Sequence, residues 1–399
     1  MILAGSISTL VLIVTLFRFP FSYVSLILIS IAIYHVNIYV DPDNFSELFK
    51  RVTFLSSVFF CLPFIIDRRA PPILSQATIN SSDFARNGFI AALVLVVGLS
   101  VVHYSIAGVP LLSGNVDEAR FRAIESGMFG IPSRFAVYGP SILAFILIIL
   151  LNGRSIGVGL FAASGLAILI LLFLQGSKSS VAQFLLIAAV AYNYLDRDIR
   201  GKINSVGVVF LIFSVIAFFF VLERLNSIHD KDLVKYLASR LTDQSMAPVT
   251  ALIDEPFQLY LRSPFMMVND ILYPFARLFG VPIELSNEQL SRYLYGLRPG
   301  DFSVPVTPGF IAYSFRDFGE PLVYFVMLTY GLICRHVYFS MSKVRGISLA
   351  WFIFCVQYML YVGLTSGNLF YLIPNYLFVF LVLYFINRIW MGSSNREER

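Results

Sequence analysis

The stretch NSVGVVFLIFSVIAFFFVLERLNSIHDK, residues 204–231, changes character once, at Glu223. Residues 204–222 carry no charge, and from Glu223 a polar region runs to Glu320. A helix rises about 1.5 Å per residue, so about 20 mostly apolar residues cross roughly 30 Å of hydrocarbon. The first part therefore predicts a membrane-spanning helix, and the second a large excursion into water on one side.

The same test applied outward finds apolar stretches at 2–17, 19–40, 52–66, 88–106, 137–151, 156–174, 180–195, 321–339, 348–364 and 370–389. With 204–222 this makes about eleven spans and predicts an all-α polytopic integral membrane protein. A composition of 58% hydrophobic and 13% charged residues, with mean hydropathy +0.78, belongs to the same class. The first stretch lacks the basic start and small-residue cleavage site of a signal peptide and reads as a membrane helix.

Orientation follows from lysine and arginine. With the N-terminus outside, cytoplasmic segments hold 14 of the 29 Lys and Arg, short external segments hold 6, and the long loop holds the remaining 9. The inverse topology would reverse the bias of the short loops. The chain then divides into a bundle of about eight helices at 1–222 with an external loop at 107–136, a large, partly helical external loop at 223–320, and about three helices with a short tail at 321–399.

Several classes are disfavoured. Cys61, Cys334 and Cys355 all fall in apolar stretches, where a thiol acts as a small hydrophobe, so neither a disulfide nor a cysteine metal site is expected. The long loop holds 9 Lys or Arg against 12 Asp or Glu, which is no nucleic-acid surface. Asp41-Pro-Asp43 is matched by Asp196-Arg-Asp198 on the opposite side, so the spacing carries no metal expectation and no cofactor is expected. Matched halves and interrupted helices, which mark transporters, are not convincingly shown, and ionisable residues deep in the spans are scarce.

The long loop reads as structured. Residues 230–241 have helical spacing; Ser263-Pro264 has the form of a helix start running toward Phe279; Ser286 with Gln289 fits a capping box for a third helix ending near Gly296. Large apolar residues fill this region, among them Phe265, Met266, Ile271, Leu272, Tyr273 and Phe275. They suit helices lying against a membrane surface or a small core over the helix ends. Residues 298–309, RPGDFSVPVTPG, form a rigid, turn-rich segment able to offer main-chain N–H groups to an anion.

The run VTPGFIAYSFRDFGEPLVYFVMLTYGLI at 306–333, with Thr-Pro-Gly and then Phe-Gly entering a helix, resembles the end of the large periplasmic loop of Wzy-type O-antigen polymerases. RFPFSYVSLILIS at 18–30 and GSKSSVAQFLLIAAVAYNYL at 176–195 are similar to that family as well, with Lys178 where its members tend to have arginine. Arg298 and Gly309 fit its Arg-x10-Gly spacing.

The resemblance implies a fold of the GT-C type in the broad sense, in a multi-pass protein of the bacterial inner membrane. It implies polymerisation of undecaprenyl-diphosphate-linked repeat units at the periplasmic face by metal-independent glycosyl transfer. A chain-length regulator and a flippase of the same pathway are the implied protein partners. An O-antigen ligase is the neighbouring reading, and a flippase the more distant one.

Such chemistry needs positive charge for the diphosphate, which arginine supplies through its planar fork, and a base for a sugar hydroxyl. Arg298 and Arg316 flank the rigid segment and rank first; His229 and Asp301 are candidate bases. His35, His103 and Asp317 are weaker, as buried or structural groups. Arg120, Arg122, Lys178, Arg292 and Gly309 are the candidate diphosphate contacts. Glu118 with Arg122 and Glu288 with Arg292 are also spaced as ordinary i,i+4 ion pairs.

Overall fold

The computed structural model describes residues 2–19, 22–67, 86–113, 130–152, 156–175, 187, 243–254, 265–279, 281, 283, 285–297, 306, 308–343 and 347–397. Among these residues helices are the only regular secondary structure. Seven helices are long and apolar enough to cross a membrane, and two shorter apolar helices accompany them. The chain is an α-helical, multi-pass membrane protein.

The helices are α1 Ile2–Arg18, α2 Tyr23–Val40, α3 Glu47–Ile66, α4 Arg86–Ala107, α5 Ile131–Asn152, α6 Val158–Leu174, α7 Asp243–Asp254, α8 Met266–Leu278, α9 Ser286–Tyr295, α10 Gly309–Phe318, α11 Leu322–Ser340, α12 Ile347–Ser366 and α13 Leu369–Glu397. Nine of them coincide with expected spans. Apart from Ile187, the stretches 180–195 and 204–222 and the expected helix at 230–241 lie outside the described residues. Helix α3 begins five residues ahead of its apolar stretch because Ser46 caps it, accepting from the Phe49 amide, with Glu47 in the first turn.

Two compact units form. One comprises Met1–Pro71, Asp232–Phe339 and Val356–Pro374. Here α1, α2 and α3 pack through polar as well as apolar contacts, since polar groups in hydrocarbon must find partners within the protein. Ser8 donates to the Phe54 carbonyl over 2.9 Å. His35 lies 3.0 Å from Thr9 Oγ1 through Nδ1 and 2.9 Å from Ser57 Oγ through Nε2. Helix α11 presses on α3 so tightly that a Cβ on Gly331 would fall 2.3 Å from the Phe60 carbonyl oxygen. Two charged contacts close one end of this bundle. Arg18 caps α3 by donating to the Phe64 and Ile65 carbonyls, and Arg335 Nε reaches buried Asp67 at 2.7 Å.

The other unit comprises Pro72–Lys231, Ser340–Cys355 and Asn375–Arg399. Buried Trp351 donates to the Ile142 carbonyl over 3.0 Å, and Phe145 stacks on Phe354 with ring centroids 5.5 Å apart. Arg134 donates to Asn375 Oδ1 at 2.7 Å, and Gln175 to the Ala136 carbonyl at 2.8 Å.

Candidate functional site

Helices α7 to α10 gather at one end of the first unit, where α2 ends and α3 and α11 begin. Three contacts tie them there. Ser46, at the start of α3, donates to Asp254 at the end of α7. Arg51 grips Glu320 bidentately, with Nε–Oε1 2.8 Å and Nη2–Oε2 2.9 Å. Tyr324 adds a 2.6 Å bond to the same carboxylate. The Arg51 fork and the Tyr324 hydroxyl together hold the Glu320 carboxyl below its usual range.

The centre of the site is an antiparallel pair, α8 against α10. Asp317, near the end of α10, accepts from the Met266 amide at 2.7 Å and the Met267 amide at 2.9 Å. It thereby satisfies two of the N–H groups that the start of α8 leaves open. One helical turn along, the Tyr313 hydroxyl donates to Asp270 Oδ2. Asp270 Oδ1 accepts from the Ser286 amide at 2.9 Å, so one fully buried carboxylate joins α8, α9 and α10.

Burial raises the Asp270 carboxyl to about 6, against the pull of the Tyr313 and Ser286 donors. Burial also raises Asp317, opposed by the two methionine amides and by neighbouring Arg316. The Tyr313 hydroxyl is pushed well up, first by burial and then by the Asp270 charge.

Gly309 opens α10 at φ +73°, in the left-handed region where glycine is at ease. Its surroundings also exclude a side chain, because a Cβ there would meet the Tyr34 hydroxyl at 2.2 Å. The next residue, Phe310, packs edge-on against Phe60 and Tyr330, at centroid distances of 5.5 and 6.1 Å. At its far end α10 stops at Gly319, φ +66°, just ahead of α11.

Of the residues expected from sequence, Arg316 is half-buried on α10, Arg292 is half-buried on α9, and Gly309 is the buried start of α10. Their helices both bond to α8 through Asp270. Arg298, His229, Asp301, Arg120, Arg122 and Lys178 lie outside the described residues. His35 is a buried, hydrogen-bonded core residue, and His103 is buried with its ring 5.2 Å from that of Tyr104.

The expected capping box of α9 is corrected. The N-cap is Leu285, without a side-chain bond, and Ser286 turns its hydroxyl to the Met266 carbonyl at 3.3 Å. Its amide already has the Asp270 carboxylate, so a local cap gives way to a tertiary one.

Sequence reasoning passed over Asp270, Tyr313 and Tyr34. The signal for Asp270 was the polar pair Asn269-Asp270 inside an apolar helix. Among the described residues no cluster of three or more His, Cys, Asp or Glu side chains could hold a metal ion. Set against known protein families, curated proteins and solved structures, the chain finds no match.

Proposed function

We propose that this protein polymerises lipid-linked oligosaccharide repeat units. It moves the growing glycan from its polyprenyl diphosphate to a hydroxyl of an incoming lipid-linked unit, at the periplasmic face of the bacterial inner membrane. The new bond joins the anomeric carbon to the acceptor oxygen, the carbon–oxygen bond to diphosphate breaks, and the acceptor proton passes to a base. In this reading residues 180–195 and 204–222 complete about eleven spans of a broadly GT-C-like fold, and residues 223–320 form the periplasmic loop.

The observation that carries the proposal is the setting of the family-like run. Its Gly309 and Gly319 bound one short helix, fixed to α8 through Asp317 and Tyr313 and seated against α3 and α11 beside the membrane spans. A rigid element at that place suits a reaction whose two substrates both carry lipid tails. Arg298 and Arg316 are assigned to the departing diphosphate, His229 or Asp301 to the acceptor proton, and Arg120, Arg122, Lys178, Arg292 and Gly309 to diphosphate binding.

Purified protein incubated with synthetic undecaprenyl-diphosphate-linked repeat units should give a ladder of longer products. Recovery of the starting unit alone, under conditions in which a known polymerase works, removes the proposal. Transfer only to a different lipid acceptor replaces it with a ligase.

A further inference from the structure

Helix α8 is amphipathic in the reverse of the usual sense. At 100° per residue, Phe265, Val268, Ile271, Leu272, Phe275 and Phe279 fall within about 120° of arc. All six are exposed, Phe275 at 49% and Phe279 at 82%. The opposite side carries Met266, Asn269, Asp270 and Tyr273, and all four are buried. A helix flanked by water would turn Asn269 and Asp270 outward and the aromatic residues in.

The depth of α8 explains the reversal. Met266 pairs with Asp317 and Asp270 with Tyr313, a constant antiparallel register that brings Pro274 alongside Gly309. Phe310, next to Gly309, lies between Phe60 and Tyr330. Tyr330 is eight residues, about 12 Å, inside α11. Helix α10 spans a similar distance, about 13 Å from Phe318 down to Gly309. The lower half of α8 therefore runs beside membrane-spanning residues, and Tyr273 meets Tyr371 of α13 there with centroids 5.7 Å apart. The chain then turns and returns to Ser286, which is bonded to Met266 and Asp270 near the entry level.

We infer that α8 is a re-entrant half-helix, dipping into one leaflet of the bilayer with its Phe265–Phe279 face covered by lipid acyl chains. Irregular chain at membrane depth is tolerated where protein satisfies its polar groups. The contacts of Asp270, Asp317 and Ser286 satisfy polar groups on the protein side, which leaves the outer face apolar. The occupant is lipid because the lower half of α8 lies at the depth of Phe60 and Tyr330, well inside two helices long and apolar enough to cross a membrane.

The test uses Val268→Cys, Leu272→Cys and Phe275→Cys, one at a time in the full chain, spin-labelled and placed in phosphatidylcholine nanodiscs. Native Cys61, Cys334 and Cys355 are buried, and unsubstituted protein controls for their labelling. Collisions with oxygen should exceed those with a water-soluble nickel chelate at all three sites, increasingly so from Val268 to Phe275. Preferential access of the chelate at Leu272 and Phe275 overturns the inference in favour of a water-facing helix. Spin–spin broadening that disappears on dilution with unlabelled protein overturns it in favour of a second copy of the chain. Phe275→Trp, read against unsubstituted protein, gives an independent answer if the spin label perturbs the fold: added quenching by brominated lipid supports the inference, and none overturns it.

Discussion

A Cβ built on Gly367 would lie 3.0 Å from both the amide nitrogen and the carbonyl oxygen of Gly309. Both residues have positive φ, +76° and +73°. Two turns, one opening α10 and one joining α12 to α13, thus meet backbone to backbone.

Gly367→Ala should cost more than Gly309→Ala. Each places an L-residue at positive φ, at about 1–2 kcal/mol, but the obstacle differs. At Gly367 it is main chain, whereas at Gly309 it is the tip of the Tyr34 side chain. Thermal denaturation in detergent should show the larger fall for Gly367→Ala. Tyr34→Phe should recover part of the loss of Gly309→Ala and none of the loss of Gly367→Ala. Equal losses, unaffected by Tyr34→Phe, would contradict this account of the contact.

Asp317→Ala should loosen the start of α8, because the Met266 and Met267 amides lose both acceptor oxygens. The expected cost is about 1–2 kcal/mol, read as faster hydrogen exchange at the first amides of the helix. Asp317→Asn keeps one acceptor and should lose less. Unaltered exchange in Asp317→Ala would show that another group caps the helix.

The α8–α10 pair should weaken as pH rises from about 4 to about 6. Asp270 holds its proton to about pH 6 in the folded protein, whereas an unfolded aspartate releases it near 3.9. The folded state thus binds more protons in that window, and stability is greatest below it and falls through it, by on the order of 2–3 kcal/mol. Hydrogen exchange of α8 amides, corrected for intrinsic rates, measures this. Asp270→Asn should flatten the profile, since the amide can still accept from Ser286 and can donate to the Tyr313 hydroxyl. A wild-type profile already flat between pH 4 and 6 would rule out titration of Asp270 there.

Arg316→Ala and Arg298→Ala should each shorten or abolish the product ladder while protein yield is retained, because each removes a fork proposed to meet the departing diphosphate. Arg316→Lys should restore less than the full chain length, since an ammonium pairs with a single phosphate oxygen at a time. Unchanged chain lengths in either alanine variant would take that arginine out of the proposed site.

Spans were legible because hydrocarbon imposes one rule on every helix that crosses it, so windows such as 88–106 and 370–389 needed only composition. A turn at Gly309 was legible as well, from the turn-rich run 298–309 that it closes. Asp317 was noticed beside Arg316, but its role was not readable, because its partners Met266 and Met267 lie about fifty residues earlier in the chain. Asp270 was missed because a single carboxylate in an apolar helix looks like a surface group until the solvent side of the helix is known. Ser286 was misread for a related reason: a capping pattern describes local competition for N–H groups, and here a distant carboxylate took the amide.

By itself the sequence determined that this is a helical membrane protein, where most of its spans lie, and that its polar mass interrupts them late in the chain. Only the tertiary structure decided which side of α8 faces protein, and that Gly309 sits beside Tyr34 and Gly367. Spanning a bilayer is a local requirement, met residue by residue, whereas the facing of a short amphipathic helix depends on what surrounds it. For α8 the partners of Asn269 and Asp270 come from Ser286 and Tyr313, and no window along the chain contains them together.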